Sequence, residues 1–191
     1  MFSNEQREYI LKHLRRPDND LEIAKIAQTL AKKYGKISDE LVLDTASIMN
    51  LGETDSRIAH IYEVSCNWKE HPEAIDLNKL HGEYSVEMAE SIGITLSEEQ
   101  KQVISGHSRN EYSTVLGQII KIAEICRATE QPRWYRGEKK DAAKSWDEVE
   151  SVLLEDKGLS NDMIAIAKKS YGKQRFKDID KSNHDDVGEI S

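Results

Sequence analysis

Cysteine is nearly absent from this chain. Cys66 and Cys126 are the only two in 191 residues. They form no Cys-x-x-Cys metal pair and no disulfide framework, and each sits in an apolar neighbourhood, where a small core residue is expected. Proline occurs three times and β-branched alternation is scarce, which argues against a sheet-rich fold. A surplus of basic charge is also missing: the formal net charge is −8. That argues against sequence-independent nucleic-acid binding, which depends on clustered Lys and Arg, and leaves room for a small cationic pocket. No stretch approaches the length of a membrane span. The first residues are too polar and acidic for a secretory signal. The expectation is a cytoplasmic protein with no nucleic-acid and no membrane partner.

Hydrophobic residues make up 38% and charged residues 32% of the sequence, the balance of a folded domain with a wet surface. At this length one domain can bury a full core. Apolar residues recur at helical spacing. Ser3 and Gln6 form a capping box for a first helix through about His13. Pro17 and Asp18-Asn19-Asp20 read as a turn and cap before a helix carrying Leu21, Ala24, Ala27, Leu30, Ala31 and Tyr34, stopped by Gly35. Ser38 caps a helix that ends at Asn50-Leu51-Gly52. Residues 53–76 are less regular: a short helix is expected over 58–64, and a loop over Trp68–Asp76. A helix from Leu77 through Ile92 ends at Gly93, and Ser97 with Gln100 makes another capping box. Further helices are expected over about 113–128, 145–154 and 162–171, and a loosely held polar tail over 172–191. No internal repeat is evident. The expected fold class is all-α, roughly seven to nine helices with short loops. The expected organisation is an N-terminal helix and turn (1–17), a helical domain (18–171) and the tail.

The stretch over 119–136 concentrates the chemistry. It begins as a buried helix, Ile-Ile-Lys-Ile-Ala-Glu-Ile-Cys, with one acid, Glu124, in the apolar run. It breaks at Pro132 and then presents Arg133, Trp134, Tyr135 and Arg136. An acid on a core helix followed by a cationic, aromatic corner suggests a site for an anion. Arg133 and Arg136 are candidate phosphate-binding residues through charge-assisted hydrogen bonds. The equally weighted alternative is that Arg133 caps carbonyls or pairs with an internal acid. Trp68 and Trp146 read as half-buried anchors, and Glu138-Lys139-Lys140-Asp141 as a solvated loop.

The run Ile122-Ala123-Glu124-Ile125-Cys126-Arg127-Ala128-Thr129, followed by Arg133-Trp134-Tyr135-Arg136, resembles a core motif of the HD superfamily of metal-dependent phosphohydrolases, and is most similar to the HD-GYP branch. The resemblance spans about residues 18–171. The family's Leu-Leu-His-Asp-Ile-Gly-Lys corresponds to Ser47-Ile48-Met49-Asn50-Leu51-Gly52-Glu53, so Met49 and Asn50 stand in place of the His-Asp pair and Glu53 in place of the lysine. Two family histidines correspond to His81 and His107. Ser108 stands where a second histidine of that run is expected, and Asn19 at an early histidine position. The Gly-Tyr-Pro loop is missing. His184-Asp185 repeats the dipeptide literally but lies in the polar tail, and reads as a decoy. His60 lies near the altered helix and reads as a surface or packing residue; His13 and His71 carry no signal.

In the family, histidines and carboxylates converge on two or three metal ions that polarise a phosphate and activate water. Asn50 loses the aspartate charge, Met49 offers a soft thioether poorly suited to such ions, and Glu53 places a negative charge where a lysine was. A two-metal centre is therefore not expected. The leading expectation is an HD-domain-like, non-catalytic signalling or regulatory module with no cofactor and with a protein partner. One alternative is a phosphohydrolase with a single Fe, Mn or Zn ion on His81, His107 and Glu124; there Glu124 either reaches the ion or fills the void by pairing with Arg127 or a histidine. A second alternative is a metal-free nucleotide or phosphate sensor using Arg133 and Arg136.

Overall fold

A computed structural model describes residues 2–63, 72–135 and 138–176. The fold is all-α, as expected. Its helices are α1 (Asn4–His13), α2 (Pro17–Tyr34), α3 (Asp39–Ile48), α4 (Pro72–Asn78), α5 (His81–Ser91), α6 (Glu98–His107), α7 (Val115–Ala128), α8 (Trp146–Leu154) and α9 (Asn161–Ala167). The last continues through a π-helical turn, Lys168–Gly172, into a final helical turn, Lys173–Arg175. Two 3₁₀ turns, Leu51–Thr54 and Ala59–Tyr62, follow α3. No helix among the described residues is long and apolar enough to cross a membrane.

The end signals behave as the sequence implies. Capping boxes form at Ser3/Gln6 and Ser97/Gln100, and Ser38 and Ser145 cap α3 and α8. Gly35 and Gly93 leave their helices at positive φ, the conformation that favours glycine. Other boundaries move. Helix α2 begins at Pro17, not after Asp20, because proline at the first helical position needs no N–H partner and has its φ preset. Asp18 and Asp20 then sit in the first turn, where they face the positive end of the helix dipole. The expected loop before Asp76 is helical from Pro72. The expected helix from Leu77 breaks at Lys79-Leu80 and restarts at His81. Of the expected helix over 58–64, Ala59–Tyr62 is a 3₁₀ turn. Arg133–Tyr135 and Glu138–Lys140 pair as a short antiparallel hairpin, where a corner and loop were expected. Trp146 is fully buried, not half-buried. Cys126 is a core residue, as its neighbourhood implied. His60 is exposed. Cys66, Trp68, His71, Arg136 and His184-Asp185 lie outside the described residues, as does the expected tail (172–191) from 177 onward; its first residues are not loose, since Gly172 is buried and Lys173–Arg175 is helical.

The main core joins α2, α3, α7, α8 and α9 through Ala24, Ala27, Leu30, Val42, Met49, Leu116, Ile120, Ile122, Trp146 and Leu153, among others. Smaller clusters lie under α1 with α5 and α6, and under the 3₁₀ turns with α4. Two crossings place the site. A Cβ on Gly52 would stand 2.1 Å from the His81 carbonyl oxygen and 2.6 Å from the Ser85 nitrogen; a Cβ on Gly82 would stand 2.2 Å from the Ile104 carbonyl oxygen. The backbone after α3 is therefore pressed onto α5, and α5 onto α6. The Ser85 hydroxyl bridges the first crossing: it accepts from the Gly52 N–H at 2.8 Å and has the Met49 carbonyl at 2.7 Å to donate to.

Because backbone cannot retreat as a flexible side chain can, overpacking here is expected to cost about 1–3 kcal/mol or more. Gly52→Ala and Gly82→Ala should each lower Tm by about 3–10 °C, read by circular dichroism melts. An unchanged melting temperature would contradict the close approach.

Candidate functional site

A cleft of about 660 Å³ opens where α2, α5, α6 and α7 meet, lined by residues that include Arg15, Arg16, Asn19, Asn50, Glu53, His81, His107, Lys121, Glu124, Arg127 and Arg133. Of the residues singled out in the sequence, His81, His107, Glu124, Asn19, Asn50, Glu53, Ser108 and Arg133 all line it. Met49 does not: it is packed in the main core, so its thioether is no part of the site. Arg136 lies outside the described residues.

The two histidines meet at the floor. His81 opens α5 and His107 closes α6, so the second glycine crossing brings them together. His81 Nδ1 is 2.6 Å from the Asn78 carbonyl oxygen, and His107 Nδ1 is 2.6 Å from the Ile104 carbonyl oxygen. A carbonyl oxygen only accepts, so each Nδ1 carries the proton and donates. In the neutral rings both Nε2 atoms are then bare lone pairs. They face each other at 2.8 Å, with the ring planes 75° apart. Burial pushes both imidazoles down, to about 4, and the neighbouring ring adds to the effect on His81.

Asn50 stands beside them, with Oδ1 3.1 Å from His107 Nε2. Its Nδ2 donates to Asp20 Oδ1 at 3.0 Å, which fixes the amide with its oxygen toward the histidine. Asp20 is 1% exposed, and its Oδ2 has no hydrogen-bond partner. Burial raises the Asp20 carboxyl above its ordinary value, against the bond from Asn50.

The rim carries the charges. Glu53, buried at the cleft wall, accepts from Arg15 Nε at 2.8 Å and from Arg16 Nη2 at 3.4 Å, so its charge is offset by two arginines. Glu124 pairs with neither Arg127 nor a histidine: its ion-pair partner is Lys121 at 3.8 Å, and burial pushes its carboxyl up. Arg127 donates to Asn19 Oδ1 at 3.2 Å and pairs with Glu130. Ser108 Oγ donates to the Lys79 carbonyl, tying α6 to the turn before α5. Arg133 Nη1 reaches the Asp141 carbonyl at 3.4 Å across the hairpin. Five cations and two carboxylates thus line the cleft, a formal surplus of three on a chain of net charge −8.

Sequence reading missed Arg15, Arg16 and Lys121, took Asp20 only as a cap residue, and considered Arg127 only as a partner for Glu124. Asp20 had a signal. Counted from Pro17, it falls on the same stripe as Ile23, Ala24 and Ala27, so a carboxylate interrupts a buried helical face. Arg15 and Arg16 carried none, because their partner Glu53 is distant in sequence. Among the described residues no three His, Cys, Asp or Glu side chains group as a metal's ligand set. The lone pairs that approach one another at the floor belong to two imidazole nitrogens and an amide oxygen.

The depressed histidines fix a pH dependence. An unfolded chain protonates each imidazole near 6.5, while the folded chain resists until about 4, so stability should fall as pH falls through that window. The slope approaches about 1.4 kcal/mol per pH unit for each imidazole. The raised carboxyls of Asp20 and Glu124 act in the opposite sense nearer their own range, so the cleanest interval lies just below 6.5. Urea melts in metal-free buffer should show the decline and His107→Gln should reduce it; an equal slope in the variant would contradict the neutral pair. Comparison with protein-family models, with curated proteins and with solved structures gives no match for this chain.

Proposed function

We propose that this chain is a degenerate HD-GYP-like domain that works without turnover, as a regulatory module binding a small phosphate-bearing anion in the cleft and passing that state to a protein partner. The observation that carries the reading is the cleft's cationic surplus on an acidic chain. It would focus anions there, and arginines are suited to grip phosphate oxygens in pairs. The cations already hold carboxylates or amides, so a phosphate would enter by exchange, chiefly by taking Arg15 and Arg16 from Glu53.

Loss of turnover follows from the same residues. Hydrolysis of the kind the resemblance implies draws on ions bridged by carboxylates. Here the bridging position is the neutral Asn50, the neighbouring position is the core residue Met49, and Glu53 is spent on arginines. What remains positions and neutralises a phosphate more readily than it activates water.

Thermal-shift and calorimetric titration with pyrophosphate, nucleotides and cyclic dinucleotides test the reading. At least one should stabilise the chain, with an affinity that falls as salt rises. Arg127→Ala should weaken binding, and Glu53→Gln should strengthen it by about tenfold by removing the competing charge. No stabilisation by any ligand would overturn the anion reading. Release of phosphate at a rate abolished by His81→Ala would replace it with an enzymatic one.

A further inference from the structure

The cleft holds more positive charge than its own acids offset. Glu53 answers Arg15 and Arg16, and Glu124 answers Lys121. Arg127 pairs with Glu130, but the same carboxylate also serves Arg175, 3.6 Å from its Nη1. One carboxylate between two guanidiniums leaves a surplus there. A surplus gathered in one concave place on a chain of net charge −8 attracts whichever acidic segment can reach it. One such segment begins beside it. Phe176, which follows the last described helical turn, is anchored: its N–H donates to the Gly172 carbonyl at 2.8 Å, its ring packs against the main core, and the Arg175 guanidinium lies over that ring. Because Arg175 and Arg127 grip one carboxylate, the chain leaves this anchor two ion pairs from the rim. Residues 177–191 then carry Asp178, Asp180, Asp185, Asp186 and Glu189 against Lys177 and Lys181, a formal charge of −3. The cleft lining carries the opposite surplus, +3. A stretch of this length can span up to about 50 Å, so reach does not limit the encounter.

We infer that the acidic segment 177–191 is an intramolecular occupant of the cleft. Its carboxylates hold cleft cations, Arg127 first, when no phosphate-bearing anion is bound, and an incoming anion displaces it. The inference rests on the anion reading of the cleft and adds a regulator of that site, supplied by the chain itself. A segment tethered this closely meets its target at an effective concentration in the millimolar range. Carboxylate contacts too weak to hold a separate peptide are then sufficient. Phosphate has more acceptor oxygens, and the arginine fork fits them in pairs, so it takes the cations from the segment at a lower concentration of its own. Asp185 and Asp186 are the one adjacent pair of acids in the segment. The His184-Asp185 dipeptide, which carries no catalytic signal, thus falls at its densest negative charge. Attraction of this kind between accessible charges is screened by salt, which separates it from a docking driven by apolar burial.

The full chain tests this in two ways. In the first, Ser182→Cys in a Cys66→Ser background carries a nitroxide at position 182, while the buried Cys126 stays unlabelled. The expected result is paramagnetic broadening of the Arg16, Asn19 and Arg127 amide resonances in the absence of any anion. The broadening should disappear at high salt, and also when Asp178, Asp180, Asp185 and Asp186 are changed to Asn and Glu189 to Gln together. In the second, calorimetric titration with pyrophosphate compares the unlabelled wild-type chain with that neutralised variant, whose affinity should be about 3- to 10-fold higher at low salt. Circular dichroism confirms that both are folded. No broadening in the anion-free chain, or broadening that survives neutralisation of the five acids, would overturn the inference. Broadening that behaves as expected, with pyrophosphate bound by neither form, would support the segment's docking and overturn the phosphate reading. Equal pyrophosphate affinity in both forms without broadening would do the reverse.

Discussion

Two backbone crossings with no room for a Cβ determine what this cleft can be. Gly52 lies against the first turn of α5, and Gly82, one residue into α5, lies against the Ile104 carbonyl of α6. The first crossing brings Asn50 to α5; the second brings α5 to the end of α6. Both act on the same helix N-terminus, so the residues they gather, Asn50, His81 and His107, meet at one point. The chain around these residues is packed inward: Ile48 and Met49 before Asn50, and Ile104 before His107, are buried. The geometry of the polar atoms is thus inherited from apolar packing and from two missing side chains. Helices held this closely have few ways to relax, which is why lone pairs can be kept face to face.

Charge is distributed by the same economy. Where the family resemblance implies an aspartate, the chain has an asparagine, and its amide turns to a buried aspartate on α2. Where it implies a lysine, the chain has a glutamate, and two arginines from the α1–α2 turn cover it. Each departure is matched by an opposite charge or a hydrogen bond from a different segment. Removing one partner alone would leave a buried polar group uncompensated, the costly case. The departures behave as two coupled pairs, Asn50 with Asp20 and Glu53 with Arg15 and Arg16. Such pairs should be non-additive in double-mutant comparison, since the members share a network.

Much of the helical frame was legible because its signals are local. Capping boxes, Ser38, Gly35 and Gly93 depend on neighbours three or four residues away, and they fall where the sequence places them. The misplaced start of α2 came from weighing Asp18 and Asp20 as cap residues over Pro17, although a proline at the first helical position is a start signal in its own right. That error hid Asp20, because a cap residue is not counted on a buried stripe. Trp146 was underestimated because its neighbours are charged, while Gly172, whose backbone packs on its ring, comes from the later turn after α9. The site divides in the same way. His81, His107 and Glu124 could be named from the family resemblance, but which of them converge depends on crossings no local pattern records. Glu124 pairs with Lys121, and Asn50, read as a loss, stands with its Oδ1 3.1 Å from His107 Nε2.

The rim and the floor differ in what they can exchange. The floor contacts are short, buried and tied to backbone carbonyls. The rim contacts are ion pairs of the partly exposed Arg15 and Arg16 with the buried Glu53, and of Lys121 with Glu124, so an anion that took the arginines would have to offset the cost of leaving Glu53 buried and unpaired. One rim residue also leads away from the cleft. Arg127 holds Asn19 on one side and Glu130 on the other; Glu130 accepts from Tyr171 at 2.9 Å and lies 3.6 Å from Arg175. Tyr171 belongs to the π-helical turn, and such turns cluster at functional positions. An anion that drew Arg127 off Glu130 would leave Glu130 with Tyr171 and Arg175 alone, and so alter the charge balance at the last described helical turn. A short ladder of charges, Arg127, Glu130 and Arg175, therefore runs from the cleft to the last described helical turn, where Tyr171 is packed in the main core.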